Sequence, residues 1–195
     1  MVVRPSSREI SAGIIEGCRL GDRNAVRVIY DVYKDKVYSI AFYFFHGDGA
    51  TASDVTQQVF LKLMTDFEQF RGDSAFSTWL YRLVVNTCID TSRRRRHSAL
   101  QIEKSVIEAV PAAGSHADDL AKKQIANSIQ TAISGLPLKF RLAILLRYFE
   151  DLSYQEIASV LKCSTGTVAS RLSRGHRMLA GKLAPMREWF GKGQS

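Results

Sequence analysis

Residues 151–179, DLSYQEIASVLKCSTGTVASRLSRGHRML, carry the strongest structural signal in the sequence. Ser153 is followed three residues later by Glu156, which matches a capping box and predicts a helix that begins just after the serine. The pattern breaks at Lys162, and Ser164 then offers a second N-cap. Two short helices joined by a tight turn are therefore expected, which is the arrangement of a helix-turn-helix unit.

The second of these helices has two faces of opposite character. Val168 and Leu172 share one face with Gly175, and a polar set lies opposite at about 100° per residue. A DNA recognition helix needs such apolar docking residues, with hydroxyl and guanidinium groups facing the major groove. An ordinary helical hairpin with a solvated basic face is the alternative. The candidate DNA contacts are Thr165, Thr167, Ser170, Arg171, Arg174 and Arg177.

The charge balance of the whole chain favours an anionic partner. The 195 residues include 27 Lys and Arg against 19 Asp and Glu, a formal net charge of +8. Nucleic acid fits this surplus better than an acidic membrane surface does. Apolar residues make up 46% of the chain and charged residues 24%, so a folded core is expected and global disorder is not.

Cysteine and histidine usage gives no sign of a disulfide framework, a metal site or another cofactor. Cys18, Cys88 and Cys163 lie far apart, with no CxxC pair and no histidine at metal-ligand spacing. A reducing cytoplasm is the simplest location for such a chain. The first residues lack an apolar run of signal-peptide length, and residues 40–45 form too short a run to cross a bilayer, so we expect no membrane insertion.

Helical periodicity dominates the chain and predicts an all-α protein with two small domains joined by a flexible linker. The periodicity weakens around Pro111 and Gly114, where small residues favour a linker. The predicted boundaries are 11–97 for a first helical bundle, 98–117 for the linker, 118–184 for the helix-turn-helix domain and 185–195 for a tail.

Residues 54–67, DVTQQVFLKLMTDF, predict a helix of the first domain with a polar stripe. Gln57 and Leu61 stand at the edge of this stripe, and a leucine beside polar residues suits contact with another protein. A solvated face is the alternative. The broad apolar face, expected to be core, comprises Val55, Val59, Phe60, Leu63, Met64 and Phe67.

Residues 70–96, FRGDSAFSTWLYRLVVNTCIDTSRRRR, predict a further helix that ends in a cationic run. Asp73 or Ser74 is the expected N-cap, and Trp79 is assigned to the core rather than to a base-stacking surface. Arg82, Asn86 and Arg93 share one polar stripe, so one helix could offer contacts to bases and phosphates. The run Arg93–Arg94–Arg95–Arg96 attracts phosphates, although such a run is often only a solvated helix end.

These strings together resemble a known family. YFEDLSYQEIASVL and STGTVASRLSRG, with the preceding ISGLPLKFRLAILLRYFE, resemble the C-terminal promoter-binding domain of sigma factors of the extracytoplasmic-function group, group 4 of the sigma-70 family. FRGDSAFSTWL with the arginine run resembles the sigma region that melts and reads the promoter −10 element. The resemblance covers residues 21–96 and 118–183, with matching motifs in both blocks. Lys162 departs from the family, which usually has Gly in this turn.

The resemblance implies three functional sets in this chain, a transcription initiation role and no enzymatic activity. Asp54, Gln57, Gln58 and Leu61 would dock on the clamp helices of core RNA polymerase, although the family often has Glu where Gln58 stands, and the flap is a further implied contact. The second domain would read the −35 element through the six recognition-helix residues named above. The −10 set is Phe70, Arg71, Ser74, Phe76, Arg82, Asn86 and Arg93 to Arg96 (Arg93, Arg94, Arg95, Arg96).

The implied partners are core RNA polymerase, promoter DNA and an anti-sigma factor. The loop at residues 70–76 would accept a base extruded from the duplex, and the linker would thread through the core enzyme. Three alternatives remain: a helix-turn-helix activator or repressor with an effector or dimer domain, an enzyme whose site is assembled only in space, and a sigma-like protein that no longer initiates transcription.

Overall fold

The structure, a computed structural model, describes residues 10–101 and 117–184, and side chains are described within residues 10–97 and 125–184. In this part of the chain every regular element is helical. The helices of the first half are α1 (Ala12–Arg19), α2 (Arg23–Phe44), α3 (Gly49–Asp66), a short 3-10 turn (Phe67–Gln69) and α4 (Phe76–Gln101). Those of the second half are α5 (Ala117–Ser134), α6 (Leu138–Tyr148), α7 (Tyr154–Leu161) and α8 (Thr165–Leu183).

Side-chain caps fix the starts of the first three helices. Ser11, Asp22 and Asp48 accept hydrogen bonds from the backbone N–H groups of residues 14, 24 and 51, respectively. Each bond satisfies one of the N–H groups that a helix start leaves without an intrahelical partner. The residue types at positions 11, 22 and 48 therefore determine where α1, α2 and α3 begin.

The first domain packs α2, α3 and α4 around an apolar core. Ile29, Val37, Val59, Leu63 and Leu80 are fully buried there. The regular spacing of such residues on one face of each helix is what drives the three helices together. The opposite faces of α3 and α4 are polar and exposed, for example at Asn86 of α4.

The second domain is a helix-turn-helix unit with two supporting helices, as the sequence predicts. Ser153 and Glu156 form the capping box at the start of α7, and Ser164 caps α8 through the N–H of Thr167. Lys162 ends α7 in the left-handed conformation, with φ 48° and ψ 53°. The turn geometry of the motif is thus kept although the residue is not glycine.

The two domains contact each other through α4 with α7 and through α2 with α5 and α6. Buried apolar residues of both halves belong to one continuous core. The all-α fold of two helical domains is confirmed. Residues 102–116 of the expected linker and the expected tail at 185–195 lie outside the described residues.

Three local features differ from the sequence-based expectation. Helix α4 continues to Gln101, into the stretch expected to be linker. It begins at Phe76, so Ala75 rather than Asp73 or Ser74 stands at the N-cap position, and Trp79 N–H donates to the carbonyl oxygen of Ala75. Met64, expected in the core, is 59% exposed. Among the helices described, none combines the length and the apolar character needed to cross a membrane.

Replacing Lys162 with Gly should stabilise the second domain by up to about 1 kcal/mol, because glycine adopts the left-handed conformation without the steric penalty of a Cβ atom. Urea unfolding followed by circular dichroism would measure the change in the free energy of unfolding. Lys162→Ala is the matched control, since alanine loses the same charge but keeps the Cβ. A glycine variant no more stable than the alanine variant would contradict this account of the turn.

Candidate nucleic-acid and protein interfaces

Helix α8 presents a polar face away from the domain core. Val168, Leu172 and Gly175 are buried against the other helices. A Cβ on Gly175 would lie 3.1 Å from the Cγ1 atom of Ile144, so glycine permits the close approach of α8 to α6. This packing turns the opposite side of α8 outward, where the predicted contacts Thr165, Ser170, Arg174 and Arg177 are exposed.

Two of the predicted DNA-contacting side chains on α8 are only partly exposed and bind other residues of the protein. The Thr167 hydroxyl lies 2.9 Å from the Ser164 hydroxyl at the helix start. The Arg171 guanidinium points back to the turn and donates to the sulfur of Cys163 at 3.7 Å. Arg174 and Arg177, in contrast, make no hydrogen bond or ion pair with the described part of the chain, so both guanidinium groups are available to an outside partner.

A groove between α2 and α3 exposes apolar surface on the first domain. It has a volume of about 600 Å³, and its walls include Tyr30, Phe60 and Met64 together with the predicted contacts Asp54, Gln57 and Leu61. Leu61 is 58% exposed and Met64 59%. Exposed apolar side chains rimmed by polar ones mark a protein-binding surface.

Gln58 does not line this groove. Its side-chain oxygen accepts a hydrogen bond of 3.0 Å from Arg94 of α4. The contact crosses from α3 to α4. The structure therefore brings together three of the four predicted protein-binding residues and directs the fourth toward α4.

The loop before α4 is built around four aromatic rings. Phe67, Phe70, Phe76 and Trp79 pack with ring-centroid separations of 5.5–6.3 Å. Phe70 and Phe76 are only 5% and 6% exposed, so these two predicted DNA contacts form the floor of the loop rather than its surface. Trp79 packs partly buried against the core, which agrees with its assignment.

An open pocket of about 570 Å³ lies above this aromatic floor, between the loop and α1. Arg71 and Ser74 line it with Phe70 and Phe76. Arg19 of α1 fixes the loop by donating to the carbonyl oxygen of Phe70 at 2.7 Å. The pocket combines an aromatic floor with cationic and hydroxyl groups, which suits an unstacked base, although the carboxylates of Glu16 and Glu156 also line it.

The predicted polar stripe of α4 contains residues that are exposed and one that is already hydrogen-bonded to the second domain. Asn86 is exposed. Arg82 is partly buried and donates to the Ser159 hydroxyl of α7 at 2.8 Å. The second domain therefore already binds one of the three residues of this stripe.

The four consecutive arginines at 93–96 are all exposed, but only two of them bind other residues of the described chain. Arg94 is hydrogen-bonded to Gln58 and to Thr91. Arg95 forms an ion pair of 2.9 Å with Asp48, bonds the Thr51 hydroxyl and lies 6.0 Å from the ring centroid of Phe45. Arg93 and Arg96 make no hydrogen bond or ion pair within the described chain.

Sequence reasoning missed several residues that complete these surfaces. Tyr30 and Met64 line the groove on α2 and α3, and Arg19 buttresses the loop from α1. Met64 follows Leu61 by three residues and so lies on the same side of the helix, a signal that was present in the sequence. The roles of Tyr30 and Arg19 depend on which helices become neighbours, which local periodicity does not reveal.

Comparison with known proteins gives one consistent result. The family profile of sigma-70 region 2 matches residues 29–98, and that of sigma-70 region 4 matches residues 126–179. The RNA polymerase sigma-H factor of Pseudomonas aeruginosa is 32% identical over 188 residues, 92% of this chain and 97% of that protein. The extracytoplasmic-function (ECF) sigma factor SigW of Bacillus subtilis is 33% identical over 87% of this chain and 94% of its own.

Solved structures share the fold. CnrH in complex with the cytosolic domain of CnrY matches with a TM-score of 0.67 at 21% identity, over 90% of this chain and 98% of that chain. The sigma factor RpoE of Bartonella quintana, in complex with the anti-sigma factor NepR, matches with a TM-score of 0.66 at 20% identity, over 81% of this chain and 96% of that chain.

The Asp48 carboxylate, bound by Thr51 and by Arg95, should make stability depend on pH in the acid range. The Thr51 hydroxyl and N–H, with Arg95, lower the pKa of Asp48 to about 2. Stability from the carboxylate is therefore present above an unfolded pKa of about 3.9 and is lost as pH falls towards 2. Asp48→Asn should cost about 1 kcal/mol near pH 6, since the partly exposed pair is screened by solvent, and almost nothing near pH 2.

Urea unfolding of wild type and variant across this pH range would test the expectation. The same substitution in an Arg95→Ala background is the control, because part of the difference should disappear with the partner. A difference that persists undiminished at pH 2 would show that the asparagine acts through something other than charge.

Proposed function

The chain belongs to the sigma-70 family as an ECF sigma factor, and from this we propose that it is a group 4 member that brings core RNA polymerase to specific promoters. A single observation carries the proposal: relatives named as sigma factors align at 32% and 33% identity with nearly the whole chain, through both helical domains. Likeness confined to the helix-turn-helix would have fitted many repressors equally well.

The proposed division of labour follows the two domains. We assign residues 11–97 to polymerase binding and to recognition and melting of the −10 element, and residues 118–184 to the −35 element. Residues 98–117 are assigned as the linker and 185–195 as a tail. The polymerase scaffold would hold two weak DNA readers at the correct spacing and so raise the effective concentration of one once the other is bound.

Duplex recognition is assigned to the exposed face of α8. Guanidinium groups bind guanine edges in the major groove, and hydroxyls bind base edges or phosphates. Arg174 and Arg177 support this role best because both are exposed and neither guanidinium has a hydrogen-bond or ion-pair partner in the described part of the chain. Thr165, Thr167, Ser170 and Arg171 complete the proposed set, with Arg171 required to turn away from Cys163 first.

Promoter melting is assigned to the aromatic loop and to α4. An extruded base loses its stacking partners, and a pocket with an aromatic floor replaces part of that lost energy. Phe70 and Phe76 would form this floor, with Arg71 and Ser74 at its rim. Along α4, Arg82 and Asn86 would contact the melted strand, and the arginine run would contact phosphate.

Polymerase binding is assigned to the groove of α2 and α3. Asp54, Gln57 and Leu61 would contact the clamp helices of the large subunit, with Met64 and Tyr30 extending the apolar surface. Gln58 is the weakest member of the proposed set because Arg94 already binds it. The flap of the polymerase is the proposed second contact, made by the domain of α8.

The remaining partner and location follow from the same premise. CnrH and the Bartonella quintana factor were solved with CnrY and with the anti-sigma factor NepR, respectively, which supports an anti-sigma factor as a regulator of this chain. The place of action is the cytoplasm, where the polymerase and promoters are. The proposed role is non-enzymatic, since the polymerase performs the chemistry.

Run-off transcription with purified core polymerase tests the function directly. The chain should direct initiation at discrete genomic sites, and mapping of these starts would give the −10 and −35 sequences. A conventional activator or repressor would instead bind an operator alone in a gel shift. Absence of both complex formation with the core enzyme and RNA synthesis would refute the proposal.

Arg174→Ala should weaken discrimination at the −35 element by about 1–3 kcal/mol, the contribution of a well-placed bidentate arginine–guanine pair. Initiation rates from the cognate promoter and from one with a scrambled −35 element would be compared. Lys182→Ala removes a cation from the same helix outside the proposed face and should leave the ratio unchanged. Equal ratios for wild type and Arg174→Ala would show that the recognition face is wrongly assigned.

Leu61→Asp should reduce affinity for core polymerase at least tenfold, since burying one leucine contributes about 1.5–3 kcal/mol and the aspartate adds a desolvation penalty. Leu20→Asp is the matched control, because Leu20 is another exposed leucine, at 79%, outside the groove. Competition binding of labelled wild type to core enzyme would measure both variants. Equal losses would mean that the groove is not the docking surface.

A further inference from the structure

We propose that the chain carries a binding site for a small amphipathic anion, a free carboxylate on an unbranched apolar chain, in a groove between its two domains. This interdomain groove has a volume of about 490 Å³ and is walled by α4, the start of α6, the end of α7 with the following turn, and α8. The volume lies within the range of small-molecule sites, about 300–1,000 Å³. The proposal rests on geometry and charge and does not depend on the proposed function.

The floor of the interdomain groove is apolar. Val85 and Ile89 of α4 line it together with Leu142 of α6 and Val160 of α7. Leu138, the first residue of α6, also lines it and is 40% exposed. A hydrocarbon chain that covers such a surface removes apolar area from water, so an apolar ligand body is favoured here.

The charged side chains at the interdomain groove are all cationic. Lys139, Lys162 and Arg171 line it, and none of the described residues that line it is acidic. Neither lysine forms an ion pair with another residue of the described chain. Three cations around one apolar floor complement a ligand that joins a negative charge to a hydrocarbon chain.

Arg171 is the best candidate to bind the carboxylate itself. Its guanidinium is partly buried and donates to the sulfur of Cys163 at 3.7 Å, and a thiol sulfur is a weak acceptor. A guanidinium carries five N–H donors in a planar fork, and a carboxylate can accept two of them in parallel. A bound carboxylate would therefore give Arg171 stronger, charge-assisted hydrogen bonds than the sulfur does.

The start of α6 adds partial positive charge to the same groove. Pro137 stands at the N-cap position and makes no side-chain cap hydrogen bond, and the first two helical residues, Leu138 and Lys139, line the groove. The first N–H groups of a helix lack intrahelical acceptors and carry the positive end of the helix dipole. They reinforce the attraction that the three cations exert on an anion.

The two other grooves described above have the wrong charges for this ligand. Asp35 and Asp54 line the groove of α2 and α3, and Glu16 and Glu156 line the pocket above the aromatic floor. Carboxylates at these places repel an anionic head group. The combination of an apolar floor with cations alone therefore distinguishes the interdomain groove from both.

Dodecanoate is the probe for the site, titrated into the full-length chain by isothermal calorimetry below the concentration at which it forms micelles. Saturable binding of one molecule per chain is expected. Octanoate, which has four fewer methylenes, should bind at least tenfold more weakly, because each buried methylene strengthens binding by up to about fourfold. Dodecanol and dodecyltrimethylammonium keep the chain but lack the negative charge, and they should also bind at least tenfold more weakly.

Lys139→Glu tests the cationic part of the site. It reverses one charge at the groove and should weaken dodecanoate binding about tenfold. The variant should fold, since a carboxylate is favourable in the first turn of a helix. Arg23→Glu is the matched control, because it makes the same change of charge in the first turn of α2, outside the groove, and it should bind dodecanoate as wild type does.

Leu138→Ser tests the apolar part of the site. It removes an exposed apolar side chain from the groove without opening a cavity in the core, and it should weaken dodecanoate binding at least fourfold. Leu20→Ser is its control, since Leu20 is an exposed leucine outside the groove.

Three results would overturn the proposal: no saturable binding of dodecanoate, equal binding by Lys139→Glu and Arg23→Glu, or equally tight binding of dodecyltrimethylammonium. Binding of an acidic amphipathic peptide in place of dodecanoate would also overturn it and would assign the groove to a protein partner. None of these measurements involves polymerase or DNA, so the site can fail while the proposed function stands, and the reverse.

Discussion

A buried guanidinium needs several oxygen acceptors, and Arg141 finds them at the ends of two helices. It is 6% exposed and donates to the carbonyl oxygens of Ser134 and Leu136, just where α5 ends, at 2.6 and 2.9 Å. It also donates to the carbonyl oxygen of Phe44 at the end of α2. Carbonyl groups at helix C-termini lack intrahelical hydrogen-bond donors, and the guanidinium of Arg141 donates to them instead. One side chain therefore terminates α5, positions α6 and connects the second domain to the first.

Local signals in the sequence were sufficient for much of the fold. The capping box at Ser153, the cap at Ser164 and the inward pair Val168 and Leu172 are short-range patterns, and the structure contains each of them. Asp73 and Ser74 failed as caps because the loop before α4 is organised by aromatic packing, which places the start of the helix at Phe76. Packing of this kind depends on residues distant in sequence and has no local pattern.

The candidate surfaces were predictable in part for the same reason. Leu61 and Arg174 could be assigned from helical spacing, since exposure follows from the face on which a residue lies. Ser159, Gln58 and Asp48, which bind Arg82, Arg94 and Arg95, could not be assigned in this way, because each lies outside α4. Long charged side chains reach several neighbours, and only the assembled structure selects among them.

The division within the arginine run bears on how the chain would respond to ionic strength. Each cation that newly neutralises a DNA phosphate releases condensed counterions, and the number released sets the steepness of salt dependence. Arg95 is already ion-paired with Asp48, whereas Arg94 bonds only uncharged acceptors and Arg93 and Arg96 have none among the described residues. Three of these four side chains would therefore bring an unneutralised charge to DNA, and one would first be tied within the protein. The run then contributes about three quarters of the ionic-strength sensitivity that its length suggests.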